Sequence, residues 1–216
     1  MAFRLESDSF GDREPIPADY AFGVPDGEGH AASEGGNRSP HLRWTGAPDG
    51  TKSFAVACVD HDVPADVEAM NRSDRTIPQD AERQPFCHWI AVDIPADRDE
   101  ISEAAASDGI VPGGKPTGET SYGGITGANG FTQFMADDPD MGGTYGNYDG
   151  PFPPWNDELV HRYRFRVYAL DTDDLGLSGD FVFEDAEQAM EGHVLEQAEL
   201  VGLYSLNPSA VAGRAG

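Results

Sequence analysis

The segment Ser53–Asp60 has the sequence SFAVACVD and alternates, so that one face of an extended chain carries Phe54, Val56 and Cys58 and ends in Asp60. Alternation with a period of two is typical of a β-strand that presents one face to a core. Clusters of turn-forming residues interrupt this kind of pattern at short intervals along the chain. The sequence therefore predicts a mostly β protein.

Two further segments alternate in the same way: Cys87–Ile94, with the sequence CHWIAVDI, and His161–Val167, with the sequence HRYRFRV. Each begins its apolar face with a histidine. The predicted faces are His88, Ile90, Val92 and Ile94 in the first segment and His161, Tyr163, Phe165 and Val167 in the second. The other face of the second segment carries three arginines that we expect to point outward, namely Arg162, Arg164 and Arg166.

One ionisable residue ends the apolar face of each predicted strand. Asp60 lies at the C-terminal end of its strand, and His88 and His161 lie at the N-terminal ends of theirs. If the first strand runs antiparallel to the other two, the three side chains meet at one end of the sheet. A buried charge is costly unless it is paired, so we expect these groups to pair with one another or with a ligand. For each histidine alone, the alternative is a core imidazole bonded to a backbone carbonyl.

The sequence as a whole predicts a single domain over residues 1–216. Residues 65–85 and 109–147 are long polar or glycine-rich excursions, and the second includes turns such as Asn129-Gly130. Apolar residues recur every three to four positions over Glu184–Tyr204, which predicts one or two helices broken near Gly192. We expect residues 207–216 to form a frayed tail.

The composition of the chain is strongly acidic. The chain has 216 residues, with 39 acidic and 14 basic side chains and a formal net charge of -25. Such a surface repels nucleic acid and anionic lipid, since neither finds a basic stripe to neutralise its phosphates. We attribute the charge to a salt-rich cytoplasm, where a Debye length of about 3 Å at 1 M salt screens self-repulsion.

Other features of the sequence indicate a cytoplasmic protein. The longest apolar run, Phe54–Val59, is far shorter than the roughly 20 residues that span a bilayer, so we expect no stable membrane insertion. The N-terminus lacks the apolar segment of a secretory signal. Two cysteines, Cys58 and Cys87, are too few for a disulfide framework, and we expect buried, unreactive thiols.

A stiff loop, Tyr148–Pro154, has the sequence YDGPFPP and comes shortly before the third predicted strand. Its prolines leave little entropy to lose when it holds a ligand. With this loop, the chain resembles the phosphatidylethanolamine-binding protein superfamily, in its prokaryotic Raf-kinase-inhibitor-like branch. The motifs that carry the resemblance cover nearly the whole chain: Pro15–Tyr20, Asn37–Trp44, Gly50–Ser53, Asp60–Pro64, His88-Trp89, Val167–Asp171, Gly192–Leu195 and Gly202–Tyr204.

The resemblance implies a β-sandwich of mainly antiparallel sheets with short C-terminal helices. It also implies a small pocket for phosphate-like or carboxylate anions, including phospholipid head groups, with no cofactor and no metal. Carried over by position, the pocket residues are Asp60, His88, Tyr148, Phe152, Pro153, His161 and Tyr163. Phe152 stands where the family often has a smaller residue, and His61 replaces a proline of the family's Asp-Pro-Asp-Ala-Pro motif.

The residues themselves indicate how such a pocket would attract an anion. No lysine or arginine lies among the pocket positions, and alternation turns Arg162 away from them. We therefore expect the histidines to supply the positive charge, with Asp60 raising the pKa of a neighbouring imidazole. Affinity for an anion should then fall as pH rises through the range in which histidine titrates.

Three other functions stay open at this point. An aspartate with two histidines could serve a hydrolase, although neither a G-x-S-x-G motif nor a P-loop is present. Some members of the family it resembles inhibit kinases or proteases, so a protein partner and a homodimer are alternatives. A metal site is a further alternative, formed by Asp60, His61, Asp62, His88 and His161 or by the acidic loop Asp137–Gly142.

Overall fold

The computed structural model describes residues 2–26, 30–32 and 34–212. Within these residues the chain forms fourteen strands, three α-helices and two 3-10 helices. The strands are β1 (Arg4–Glu6), β2 (Glu14–Pro15), β3 (Val24–Pro25), β4 (Ala31–Ala32), β5 (Leu42–Thr45), β6 (Ser53–Pro64), β7 (Arg83–Pro95), β8 (Glu100–Ile101), β9 (Gly114–Lys115), β10 (Gly118–Glu119), β11 (Ile125–Thr126), β12 (Thr144–Tyr145), β13 (His161–Leu170) and β14 (Val194–Tyr204). The helices are α1 (Phe131–Phe134), α2 (Phe183–Met190) and α3 (Pro208–Ala212), with 3-10 turns at Ala18–Tyr20 and Val67–Ala69.

Two sheets form the sandwich. The larger has seven strands in the order β10-β11-β7-β6-β13-β14-β2, and the smaller has three in the order β1-β5-β8. Every pairing within these two sheets is antiparallel except that of β14 with β2. The prediction of a mostly β fold with antiparallel-dominated sheets and short C-terminal helices is confirmed.

The centre of the larger sheet is buried on both faces. Phe54, Val56 and Cys58 of β6 pack into the core between the two sheets, against Trp44 of the smaller sheet. On the opposite face, Ala55, Ala57 and Val59 belong to a second core that Phe183, Ala186 and Met190 of α2 cover. The β6 side chains thus alternate between two cores as the period of two predicts, and burial on both faces explains why the residues of the second face are apolar too.

The predicted face of β7 is wrong, because the strand contains two bulges. Cys58 pairs with Trp89 and Val59 with Cys87, which leaves His88 as an extra residue, and a second irregularity surrounds Asp93, whose φ is 56°. Ile90 and Val92 consequently pack on the α2 side of the sheet, whereas Ile94 packs in the sandwich core. A bulge shifts the alternation by one residue and redirects the side chains that follow.

The predicted C-terminal helical region is correct only in its first part. Helix α2 ends at Met190, Gly192 adopts a φ of 82°, and β14 then pairs with β13 along its whole length. Ala198 and Leu200 alternate into the sandwich core, so the helix-like spacing that continued past Gly192 was coincidental. His193 lies in the connecting turn, where its Nδ1 is 2.8 Å from Oδ1 of Asp171.

The two polar excursions contain more structure than their composition indicates. Residues 109–147 include strands β9 to β12 and helix α1. Residues 65–85 are anchored by Asn156, whose side-chain amide donates to the carbonyls of Ala69 and Arg75 at 2.9 and 3.0 Å. Of the predicted tail, residues 208–212 form α3 and residues 213–216 lie outside the described residues.

In the part of the chain that the structure describes, each helix is too short or too polar to cross a bilayer.

Candidate functional site

Strand β6 lies between β7 and β13 and runs antiparallel to both, which brings the three predicted strand ends to one place. Asp60 pairs with Tyr163 on one side and with Phe86 on the other. The Asp60 carboxylate reaches Nδ1 of His161 at 2.6 Å. The His88 ring lies on the same side of the sheet, 5.1 Å from the ring of Tyr163 and nearly perpendicular to it.

His161 is completely buried between two carboxylates. Its Nδ1 faces Oδ2 of Asp60 at 2.6 Å, and its Nε2 faces Oδ2 of Asp157 at 3.1 Å. A carboxylate only accepts, so both ring nitrogens carry hydrogen and the ring is an imidazolium. Burial alone would lower the pKa of His161, but the charges and hydrogen bonds of Asp60 and Asp157 outweigh it and raise this pKa to about 9.

Two arginines complete this ion cluster. Arg83 donates to both Asp157 oxygens, at 2.5 and 3.1 Å. The backbone N–H of Asp62 donates to Oδ1 of Asp60, and the Asp62 carboxylate is itself held by Arg162. Burial alone would raise the pKa of Asp62, but the hydrogen bonds and charge of Arg162 reverse the direction and lower it. Arg162 is thus turned outward, as predicted from the alternation, and it is not free.

His88 is held differently. Its Nδ1 lies 2.7 Å from the carbonyl oxygen of Asp149, which only accepts, so Nδ1 carries the hydrogen. Burial lowers the pKa of His88, with smaller opposing effects from Asp60 and Asp149, and the ring is neutral near pH 7. Its Nε2 therefore has a lone pair, and among the described residues nothing hydrogen-bonds to this atom.

The Asp149 carboxylate is an anchor that the sequence interpretation missed. It is fully buried and accepts from Nζ of Lys115 at 2.5 Å and from the amides of Asn37 and Asn129 at 2.8 Å each. Through its carbonyl, the same residue fixes the His88 ring. One signal was available, because Lys115 is one of only two lysines in the chain and lies within a glycine-rich excursion.

A cavity of about 790 Å³ opens beside these residues. Five of the seven predicted pocket residues line it: Asp60, His88, Phe152, Pro153 and Tyr163. His161 does not line it: its ring is fully buried and bonded to Asp60, which does line the cavity. Tyr148 does not either, because its ring lies in the sandwich core and its hydroxyl donates to the carbonyl of Tyr20 at 2.7 Å.

The Tyr163 hydroxyl is the unusual polar group of the cavity. Tyr163 is fully buried, and within the described part of the chain its hydroxyl has no hydrogen-bond partner. Burial raises the pKa of this phenol well above its usual value, so it remains protonated and able to donate. Buried hydroxyl groups normally have a hydrogen-bond partner, so a buried hydroxyl without one requires an explanation.

The buried ion pairs beside the cavity balance, whereas two further carboxylates on its wall, those of Asp180 and Glu184, lie outside this cluster. Four aspartates, at positions 60, 62, 149 and 157, face four cations, at positions 83, 115, 161 and 162. The predicted source of positive charge is therefore present in His161, but its charge is already neutralised by its neighbours. This neutral region contrasts with the net charge of -25 of the chain as a whole.

The geometry of the described residues does not support either of the metal sites considered from the sequence. Across residues 2–26, 30–32 and 34–212, no three histidine, cysteine, aspartate or glutamate side chains converge as metal ligands would.

Burial disfavours the reactive thiolate form of both cysteines, because it raises the pKa of Cys87 to about 12 and that of Cys58 well above its usual value. Cys58 is buried as expected, whereas Cys87 is half-buried on the cavity wall.

Comparison with known proteins gives consistent results. The family model described as phosphatidylethanolamine-binding protein matches residues 6–205. A UPF0098 protein of Methanothermobacter thermautotrophicus is 35% identical over 200 residues, which cover 93% of this chain and 97% of that protein. The UPF0098 protein YbhB of Escherichia coli is 30% identical over 209 residues, which cover 94% of this chain and 99% of that protein.

Solved structures agree with the sequence relatives. The crystal structure of Escherichia coli YbcL, a new member of the mammalian PEBP family, matches with a TM-score of 0.68 and 26% identity, covering 95% of this chain and 99% of that one. A phosphatidylethanolamine-binding protein homologue from Chlamydia trachomatis matches with a TM-score of 0.62 and 25% identity, covering 94% and 97%. The family model spans both sheets and the cavity, and this chain belongs to the phosphatidylethanolamine-binding protein family.

Proposed function

We propose that the cavity binds a small anion with a phosphate or carboxylate group, as a binding protein and not as an enzyme. The observation that carries this proposal is the buried hydroxyl of Tyr163, a residue that lines the cavity, because this hydroxyl has no hydrogen-bond partner among the described residues. An unpaired buried hydroxyl costs on the order of 1–3 kcal/mol. An oxygen of a bound anion removes that cost by accepting the hydrogen bond.

His88 supplies the second contact. With hydrogen on Nδ1, the Nε2 atom of the neutral ring is an acceptor, which suits a donor and not an anion. An anion placed beside it raises the pKa of His88, so the ring takes up a proton and Nε2–H becomes a donor. Binding of the anion is therefore coupled to uptake of one proton, and affinity falls as pH rises.

Because the ion cluster around Asp60 has no net charge, it does not repel an anion bound in the cavity. Asp60 lines the cavity, but both of its oxygens already accept hydrogen bonds, from His161 and from the Asp62 backbone. Its charge is balanced by the imidazolium behind it. The name of the family, which refers to a phosphate-bearing lipid, supports a phosphate group as the anion.

Calorimetric titration with inorganic phosphate tests the proposal. We expect binding to the wild type, a loss of about three- to tenfold in affinity for Tyr163→Phe, and a larger loss for His88→Asn. The asparagine keeps a donor for the Asp149 carbonyl and deletes only the ring nitrogen that faces the cavity. Wild-type protein that binds no phosphate at any pH from about 5.5 to 8.5 would contradict the proposal.

Matched variants separate these effects from general damage. Tyr20→Phe removes a hydroxyl that bonds Glu103, and His193→Asn removes a ring that pairs with Asp171; neither residue lines the cavity. Both should bind phosphate as the wild type does. Sulfate, which does not titrate in this range, serves for the pH series, and an affinity that does not fall with rising pH would exclude the role of His88.

A further inference from the structure

The cavity is much larger than an inorganic anion requires. Its volume of about 790 Å³ is in the range of pockets that enclose a drug-sized molecule, whereas phosphate has only five heavy atoms. The polar groups Asp60, His88 and Tyr163 lie together. The remaining wall combines polar and aliphatic side chains, Asp180 and Glu184 among them, with five aromatic ones: Phe86, Phe131, Phe134, Phe152 and Phe183.

Exposed apolar side chains gather at this cavity. Among the described residues six large apolar side chains are exposed, and three of them line the cavity, namely Val67, Phe134 and Val182, which are 61%, 50% and 41% exposed. A cluster of exposed apolar residues around an opening usually marks a binding site. The bound molecule should therefore have an apolar part next to its anionic group.

The arrangement of the rings indicates what that apolar part is. The His88 and Phe86 rings are 4.9 Å apart, and Phe86 and Phe134 are 6.3 Å apart at 87°. Phe131 contacts Phe134 at 6.0 Å and 82°. The rings thus lead from His88 to the half-exposed Phe134, and edge-to-face or offset contact with another ring adds stabilisation beyond burial.

We propose that the ligand is an aromatic phosphate or carboxylate, with its anionic group at Tyr163 and His88 and its ring against Phe134. This inference rests on the proposed function, since it places the anion at the same two side chains. A ring attached directly to the anionic group is the moiety that the aromatic wall selects. An aliphatic group of equal size gains burial there but lacks the ring contacts.

Three ligands test the inference by calorimetry: inorganic phosphate, phenyl phosphate and cyclohexyl phosphate. We expect phenyl phosphate to bind about tenfold more tightly than inorganic phosphate and at least about threefold more tightly than cyclohexyl phosphate. Phe134→Leu keeps an apolar side chain but deletes the ring, and it should reduce the preference for phenyl over cyclohexyl toward one. Val111→Ala is the control, because Val111 is exposed but does not line the cavity.

The outcomes distinguish this inference from the proposed function. If inorganic and phenyl phosphate both fail to bind, the proposed function and the inference fail together. If inorganic phosphate binds and phenyl phosphate binds no better, only the inference fails. Equal binding of phenyl and cyclohexyl phosphate, or an unchanged preference in Phe134→Leu, also overturns it.

Discussion

His161 and His88 flank the same central strand, and both are nearly or fully buried, yet their surroundings give them opposite chemistry. His161 faces two carboxylates and is an imidazolium with no contact with the cavity. His88 faces one backbone carbonyl, is neutral, and presents a free nitrogen to the cavity. The comparison shows that the acids beside a buried histidine decide whether it holds the fold together or remains available to a ligand.

Replacing each histidine in turn should give the largest difference between the two, since His161 has a structural role and His88 a ligand-binding one. His161→Ala leaves Asp60 and Asp157 buried without their shared cation, and breaking a buried pair in this way costs about 3–5 kcal/mol. His88→Asn keeps the hydrogen bond to Asp149 and should cost about 1 kcal/mol or less. Urea unfolding at neutral pH measures both values. Equal losses in the two variants would show that His88 is as structural as His161.

The dependence of stability on pH should also come from His161. Its pKa is about 9 in the folded protein against an ordinary value of 6.5, so the folded state holds the proton more tightly. The resulting stabilisation, roughly 3 kcal/mol, is fully present below about pH 6.5 and is lost as pH rises through about 9. The charged groups that face the ring are Asp60 and Asp157, with Arg83 behind Asp157.

Urea unfolding of the wild type and of His161→Gln at about pH 6 and about pH 9.5 measures this contribution. Since other groups titrate in both proteins, the difference between the two free energies of unfolding is the informative quantity. It should shrink by about 3 kcal/mol on going to the higher pH. A difference that is the same at both pH values would mean that His161 is not the titrating group.

A smaller effect should follow from loosening the support of His88. Lys115→Met leaves the buried Asp149 carboxylate with only the amides of Asn37 and Asn129 as partners. We expect a loss of about 2 kcal/mol in stability and a weaker affinity for sulfate, because Asp149 orients the His88 ring. Lys52→Met, at the only other lysine, is the control and should change neither; an unchanged sulfate affinity in Lys115→Met would separate Asp149 from the site.

Several features of the fold and of the site could be predicted from the sequence because they depend on local periodicity. The alternation in β6 and β13 placed Asp60 and His161 at one end of a core face, and the antiparallel order brought them together. The resemblance to the family added Phe152, Pro153 and Tyr163, which line the cavity.

Other parts depend on contacts between distant segments and could not be predicted. A bulge at His88 shifts the alternation of β7 without any glycine or proline to mark it. The Lys115–Asp149 pair joins positions 34 residues apart, and the spacing of apolar residues past Gly192 fits a helix as well as it fits β14. Asp157 also escaped notice, because its partners Arg83 and His161 come from two different strands.

The nitrogen NMR signals of the imidazole rings test the central claim most directly, because they report which ring nitrogens carry hydrogen. At pH 7 we predict hydrogen on both nitrogens of His161 and on Nδ1 alone of His88. Saturation with sulfate should convert Nε2 of His88 to the protonated form and leave the His161 signals unchanged. Sulfate that shifts the His161 nitrogens while those of His88 stay in place would contradict the assignment of the two roles.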